Sequence, residues 1–394
     1  MKRLAFFLVI FFICLPLLLA DFGVVIGEGL LFEHDGESGF AYKTSINPWL
    51  ALPLGKADFY LSMGISANYD KTFIFVPELQ RLELSLRPLD RFGIRAGRFP
   101  WEDSSGLTAK GFFDGAELLF DIGQVRLGAA ALYTGFLYKD TAIINNSPGD
   151  PKDYTVDFDW ADFENTYFAP SRLLASLYGE FPGLPYGRGN IYAGLLAQFD
   201  LGDSNEAFDT QYLLLRYVFF YHRFDLAVSG VMQLENTQAG DFRTAYASSI
   251  EAGLSTGLLD DRISLGLRWA SGDGPDTAAF FPLIREAQGL VLKPILSGIM
   301  VLRASYLARL LPSLSAELGG RYFLRTDSGS FADPYLEHSS YLLGAELDAA
   351  VFWVPYSDIS FSLEGGVFLP QTGEAFADNA APRWSFGIGA IFSF

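Results

Sequence analysis

The chain has 394 residues, half of them hydrophobic and 16% aromatic but only 19% charged, with 28 basic against 46 acidic side chains and a net charge of −18. That apolar load excludes intrinsic disorder, and the acidic balance speaks against nucleic acid as a partner. After the first twenty residues no apolar stretch reaches the roughly 18 residues of a membrane helix, which excludes a helical transporter.

Lys2 and Arg3 precede an apolar run from Leu4 to Leu19, and Ala20 stands before Asp21. This is the pattern of a signal peptide over residues 1–20, cleaved after Ala20. Cys14, the only cysteine, lies inside that run, so the mature chain 21–394 carries no disulfide or thiol chemistry. It reads as a single domain.

From there the hydrophobic period is two. Phe59, Leu61, Met63, Ile65 and Ala67 alternate with Tyr60, Ser62, Gly64 and Ser66, and Leu82, Leu84 and Leu86 alternate with Arg81, Glu83, Ser85 and Arg87. The pattern returns over 125–133, 191–199, 224–234, 263–269, 314–324, 345–353 and 359–369. It ends with Trp384, Phe386, Ile388, Ala390, Phe392 and Phe394 on one face. Each stretch is a strand with one apolar face. About 18 such segments (about 16 is the alternative) approach the roughly 9–11 residues of a tilted membrane strand.

Connector lengths give a second signal. The connectors 53–58, 88–90, 121–123, 182–189, 222–223, 259–261, 310–313 and 355–358 are short and rich in Pro, Gly or Asp, whereas 99–110, 136–169, 200–209, 271–295, 326–339 and 370–383 are long. Short periplasmic turns alternating with long external loops are the mark of an outer-membrane barrel. The expected fold is all-β: a transmembrane antiparallel β-barrel. A soluble sandwich fits less well, because the polar faces are rich in small and charged residues in nearly every segment.

The strand ending in Phe394, with Phe386, Ile388 and Phe392 at alternate positions before it, resembles the carboxy-terminal assembly signal of bacterial outer-membrane β-barrel proteins. Two stretches are similar to alginate-export and related substrate-selective porins. One is Gly97-Arg98-Phe99, Trp101-Glu102-Asp103 and Phe113-Asp114-Gly115-Ala116-Glu117-Leu118; the other is Gly344-Ala345-Glu346-Leu347-Asp348 with Gly365-Gly366-Val367-Phe368. The family's usual Gln after its Gly-Arg pair is Phe99 here. The resemblance implies an outer-membrane location in a diderm bacterium after Sec-dependent export, contact with outer-membrane lipid and the barrel-assembly machinery, and a monomeric or trimeric pore.

Strand parity assigns the lumen. Arg81, Arg87, Arg91 and Arg95, with Arg126 nearby, form a basic wall beside the acidic Glu83 and Glu117, and Glu346, Asp348 and Glu364 form an acidic wall roughly opposite. A transverse field of this kind orients polar solutes. Arg262, Arg268, Arg303, Arg321 and Arg325 form a second basic group, and guanidinium suits carboxylate or phosphate. The alternative is that these charges face inward only because they cannot face lipid.

The loops 136–169 and 271–295 are the candidates for infolding, the latter with a short helix between Ala278 and Leu292. Asp157, Asp159 and Asp162 are a weak calcium candidate, since their spacing departs from the usual loop pattern. Tyr60, Trp101, Tyr133, Trp269, Tyr306 and Trp353 near segment ends suit an interfacial girdle. The histidines His34, His222 and His338 lie in separate connectors, and no metal or catalytic motif forms, so no cofactor and no enzymatic activity are expected. The function expected is a porin for passive passage of small hydrophilic, anionic or saccharide solutes. A surface adhesin or receptor barrel with a loop-plugged lumen is the alternative.

Overall fold

A computed structural model describes residues 20–35, 37–69, 73–147, 152–184, 187–202, 208–236 and 242–394. Residues 1–19 of the expected signal peptide lie outside the described residues. Eighteen strands follow in order: β1 (Asp21–Asp35), β2 (Glu37–Pro53), β3 (Ala57–Tyr69), β4 (Phe73–Leu89), β5 (Phe92–Glu102), β6 (Lys110–Ile122), β7 (Val125–Tyr133), β8 (Arg172–Pro182), β9 (Gly189–Asp200), β10 (Asp209–Tyr221), β11 (Phe224–Asn236), β12 (Phe242–Leu254), β13 (Arg262–Ala270), β14 (Ile299–Leu311), β15 (Leu314–Arg325), β16 (Leu342–Tyr356), β17 (Ile359–Pro370) and β18 (Arg383–Ser393). Each pairs antiparallel with its neighbours in sequence, and β1 also pairs with β18 from Val25↔Ser393 to His34↔Trp384, which closes the ring. Closure leaves no edge strand, so the wall satisfies its own backbone groups, as hydrocarbon demands. The count is 18, and the alternative of 16 falls.

Alternation sorts the two faces. Met63, Ile65, Leu177, Leu213, Leu265 and Leu318 point outward and are 51–62% exposed. Surface this apolar is unfavourable in water. Glu28 is an exception. It sits beside Thr44 and Ala390 on the outward face of β1, and accepts hydrogen bonds from Tyr42 Oη (2.6 Å) and Thr44 Oγ1 (2.8 Å).

Short turns gather at one end, and β1 begins and β18 ends there, where Phe394 and Val24 exchange two backbone hydrogen bonds of 3.0 Å. The long connectors 103–109, 134–171, 271–298, 326–341 and 371–382 occupy the other end.

At that loop end the lumen is largely filled. β4 pairs with β5 only from Leu82↔Arg98 to Leu89↔Phe92, and β6 pairs with β7 only from Asp114↔Tyr133 to Ile122↔Val125. The tip of the β5–β6 hairpin, Phe99–Glu102 with Lys110–Phe113, therefore pairs only with itself and turns inward. Gly97 is the break point: its φ is +109°, and a Cβ there would lie 2.0 Å from the Leu82 carbonyl oxygen. Only glycine meets both conditions. The gap left in the wall is covered by the loop 134–171, where Tyr138, Phe158 and Tyr167 pack with Val76 and Tyr167 Oη donates to the Pro77 carbonyl.

Loop 271–298 meets the hairpin tip and loop 134–171 inside the barrel. Leu283 N–H donates to Thr108 O, Asn145 N–H to Leu283 O and Arg285 N–H to Ile143 O. Phe280, Leu283, Leu292 and Leu296 bury against Phe99, Trp101, Leu132, Tyr212, Phe323 and Phe368. The inner wall is thus apolar near the loops and polar below.

Several sequence expectations change here. The stretch from Ala278 to Leu292 contains no helix, because Pro282 interrupts it and its N–H groups are claimed by the neighbouring loop and by Glu346. Trp101 is buried edge-on against Phe113, and Tyr60 shares the inner face with Ser62, so neither belongs to an outer girdle. Asp159 accepts the N–H of Ala161 and Asp162 accepts from the Asn165 amide. No metal-binding group of three acidic, His or Cys side chains occurs among the described residues, so the calcium candidate is withdrawn.

Candidate functional site: a divided lumen

The infolded hairpin stands between two cavities. The first, about 450 Å³, is bounded by the hairpin tip, loop residues 286–290 and the inner faces of β10 to β15. Arg216, Arg268, Arg303 and Arg321 line it from the wall, and Lys110 lines it from the hairpin. The second, about 480 Å³, lies on the far side of the tip against β2 to β4 and the segment 137–143, and Lys110 lines it too.

In the first cavity two of the three counter-ions are loosely held. Arg216 is 3.9 Å from Glu102, Arg268 is 3.5 Å from Glu286, and Arg303 is 3.1 Å from Glu317. Arg268 also donates to Gln288 Oε1 at 2.9 Å. These three arginine side chains keep more than a third of their surface exposed. A guanidinium presents five donors in a planar fork, so exposed edges here can take a passing carboxylate or phosphate in two contacts.

Arg321 differs. It is largely covered and pairs with Glu346 at 2.8 Å and Asp348 at 2.5 Å. Glu346 is 0% exposed and also accepts the N–H groups of Leu290, Val291 and Leu292. It is therefore corrected from lumen lining to loop anchor. Its carboxylate fixes the irregular segment that narrows the cavity.

The other sequence candidates resolve into pairs. Arg81 bridges to Glu83 at 2.6 Å, and Arg95 to Glu117 at 2.7 Å. Glu117 is 2% exposed and also accepts from Tyr178 Oη, so it too is covered. Arg126 pairs with Asp121 near the short turns, where Arg87 is also exposed. Arg91 is corrected: it lies in the turn 90–91 between β4 and β5, off the wall. Arg325 is buried against the carbonyls of His338 and Ser340 and serves the loops. Glu364 is exposed on the inner face of β17, across from Gly387. Acids and arginines therefore interleave on neighbouring strands instead of forming two opposed walls.

Lys110, Arg216, Glu286 and Gln288 were not singled out from the sequence, and Arg98 was quoted only within the Gly97-Arg98-Phe99 motif. Arg216 was readable: on β10 it shares the inward face with Tyr212 and Leu214, between the outward Leu213, Leu215 and Tyr217.

No protein-family model and no curated protein matches the chain. Solved structures do. The barrel is similar to Pseudomonas aeruginosa OccK5 (OpdH), with a TM-score of 0.62 at 10% identity over 95% of this chain and 98% of that one. It is similar to Pseudomonas aeruginosa OccK2 (OpdF) in complex with glucuronate, with a TM-score of 0.61 at 13% identity over 95% and 98%. It is also similar to the outer membrane protein OprD from Pseudomonas aeruginosa, with a TM-score of 0.60 at 11% identity over 95% and 93%. The shared property is the closed 18-strand antiparallel barrel.

Proposed function

We propose that the chain is an outer-membrane channel for passive diffusion of small hydrophilic solutes, with anions favoured. A barrel of this strand number is too wide for wall side chains alone to fill. The observation that carries the reading is the cavity that the partly exposed Arg216, Arg268 and Arg303 line together with Lys110. Fixed positive charge at a constriction raises local anion concentration and penalises cations.

The remaining parts of the reading follow from export. Residues 1–20 act as the signal peptide, and Phe386, Ile388, Phe392 and Phe394 act as the signal read by the assembly machinery. The barrel inserts as a monomer or trimer. The alginate-export likeness makes acidic saccharides the first solutes to try, and the glucuronate held by OccK2 is an example of such a solute with a barrel of this fold. Diffusion through such a pore has no inherent direction.

Single-channel conductance of the refolded barrel in a planar bilayer, with the reversal potential under a KCl gradient, tests this. Discrete steps and an anion-selective reversal potential are expected. A folded barrel giving no steps overturns the channel and favours a loop-plugged receptor, which the apolar packing of the loops would also suit.

A further inference from the structure

The second cavity has a different chemistry from the first. β3 and β12 lie nine strands apart in a ring of eighteen, so the two cavities face opposite sides of the barrel at the level of Lys110. In the second cavity the charges are mostly cancelled locally. Arg81 is held by Glu83, and Arg98 by both oxygens of Asp114 at 2.7 and 2.8 Å. What remains is one charge of each sign, Lys110 and Glu78, with Glu78 accepting from Thr141 Oγ1 at 3.1 Å, beside a pair of parallel aromatic rings and a cluster of neutral polar groups.

Trp49 and Tyr60, on adjacent strands, are parallel to within 4° with centroids 6.3 Å apart. The Arg81 guanidinium lies over Tyr60, with its Cζ 4.4 Å from the ring centroid. Beside the rings, Gln80 Nε2 donates to Asn47 Oδ1 at 2.6 Å, and Ser62 Oγ donates to Gln80 Oε1 at 3.0 Å. We infer that this cavity is a stacking subsite for an uncharged saccharide. The inference rests on the channel reading for the route by which a sugar reaches it.

The physical case has three parts. The face of an aromatic ring is electron-rich, and the C–H groups on one face of a pyranose carry partial positive charge, so the two attract while apolar area is buried. Planar amide and guanidinium groups at the rim present paired donors and acceptors that match neighbouring sugar hydroxyls. The volume of about 480 Å³ falls within the size range of small-molecule pockets. A free anion gains less here than in the first cavity, because Arg81 and Arg98 are held by their carboxylates at 2.6 and 2.7 Å and Glu78 offsets Lys110. The barrel would then carry two lanes past the hairpin, one for anions along β10 to β15 and one for neutral sugars along β2 to β4.

The test uses maltotriose and the intrinsic tryptophan fluorescence of the full barrel folded in detergent, with interruption of the single-channel current as a second readout. Maltotriose is expected to change the emission saturably. Read by interruption of the single-channel current, which does not depend on the Trp49 fluorophore, Trp49→Phe and Tyr60→Ala should each weaken the sugar response about tenfold, while Arg268→Gln leaves it in place and shifts ion selectivity. Sugar binding that is undiminished in both platform variants, or a wild-type barrel with no saturable response, overturns the subsite. Absence of channel steps with saturable sugar binding would reject the channel and keep the subsite. Heat-modifiable migration shows whether each variant is folded, and the conservative Trp49→Phe keeps the test available if Tyr60→Ala does not fold.

Discussion

Arg321 on β15 and Glu346 on β16 meet at 2.8 Å across neighbouring strands, and the same carboxylate holds three consecutive backbone N–H groups of the infolded loop 271–298. Loop position is thus written into the wall. A buried carboxylate with four donors is stable only while they all remain, and its loss strands three N–H groups away from water. Glu346→Ala should release residues 290–292 from the wall, giving larger single-channel steps with more current noise. Glu346→Gln, which keeps an acceptor but loses the charge, should fall between. Unchanged conductance and noise in Glu346→Ala would show that the loop holds its place by apolar packing alone.

Selectivity should follow the arginines of the first cavity. A unit charge about 4 Å from a passing ion in water is worth about 1 kcal/mol, or roughly fivefold in a permeability ratio. Arg268→Gln and Arg303→Gln should each lower the anion-to-cation ratio by up to about that factor, and the double variant should lower it further. Reversal potentials at low salt are the measure, since screening shortens the reach of these charges at high salt. Arg91→Gln serves as the contrast: Arg91 lies in a turn, so its loss should leave the ratio almost unchanged.

The legible parts of this molecule are those fixed by a two-residue period. Met63 and Ile65 outward with Ser62 and Gly64 inward follow directly from alternation, as do the inward Arg81, Arg95, Arg303 and Arg321. Parity also located the short turns. It failed where the chain leaves the wall. Past Gly97 the hairpin turns inward, so Trp101, read as an interfacial aromatic, became part of the interior, and Lys110 reached both cavities. Nothing local marks that departure except a glycine whose φ is positive. Glu346 was placed on the correct face, but its burial depends on a loop some fifty residues earlier in the chain, which no strand pattern records.

Arg98 and Asp114 form a two-point pair at the root of the hairpin, and Arg98 also donates to the carbonyls of Leu79 and Phe136. One guanidinium thereby ties β4, β6 and the loop that covers the wall gap. Removing one partner of a buried pair typically costs about 3–5 kcal/mol. Arg98→Ala should lower unfolding stability in detergent by about that amount. Because Lys cannot reproduce the fork, Arg98→Lys should recover less than half of the loss. Full stability in Arg98→Ala, measured by denaturant titration of the folded band, would place the closure of that gap in the aromatic cluster around Val76 instead.

Acid should loosen the loop end through Asp327. Its carboxylate lies in the connector after β15 and accepts the N–H groups of Asp273, Gly329 and Ser330, each at 2.6 Å, joining two long loops. Burial raises its pKa, but the hydrogen bonds from Ser330, Gly329 and Asp273 outweigh that and hold it below the ordinary carboxylate value. A group whose folded pKa is depressed stabilises fully above its unfolded value, about 3.9 for Asp, and that stability is lost as pH falls through the lower folded value. Between pH 7 and 5 the contact should therefore hold, and below about 4 it should weaken. Asp327→Asn should show the loosened state already at pH 7, read as faster protease cleavage within 271–298, and its cleavage should change less with acid than that of the wild type. Equal acid sensitivity in both would assign the effect to other carboxylates of the loop end, because only the difference between the two proteins isolates Asp327.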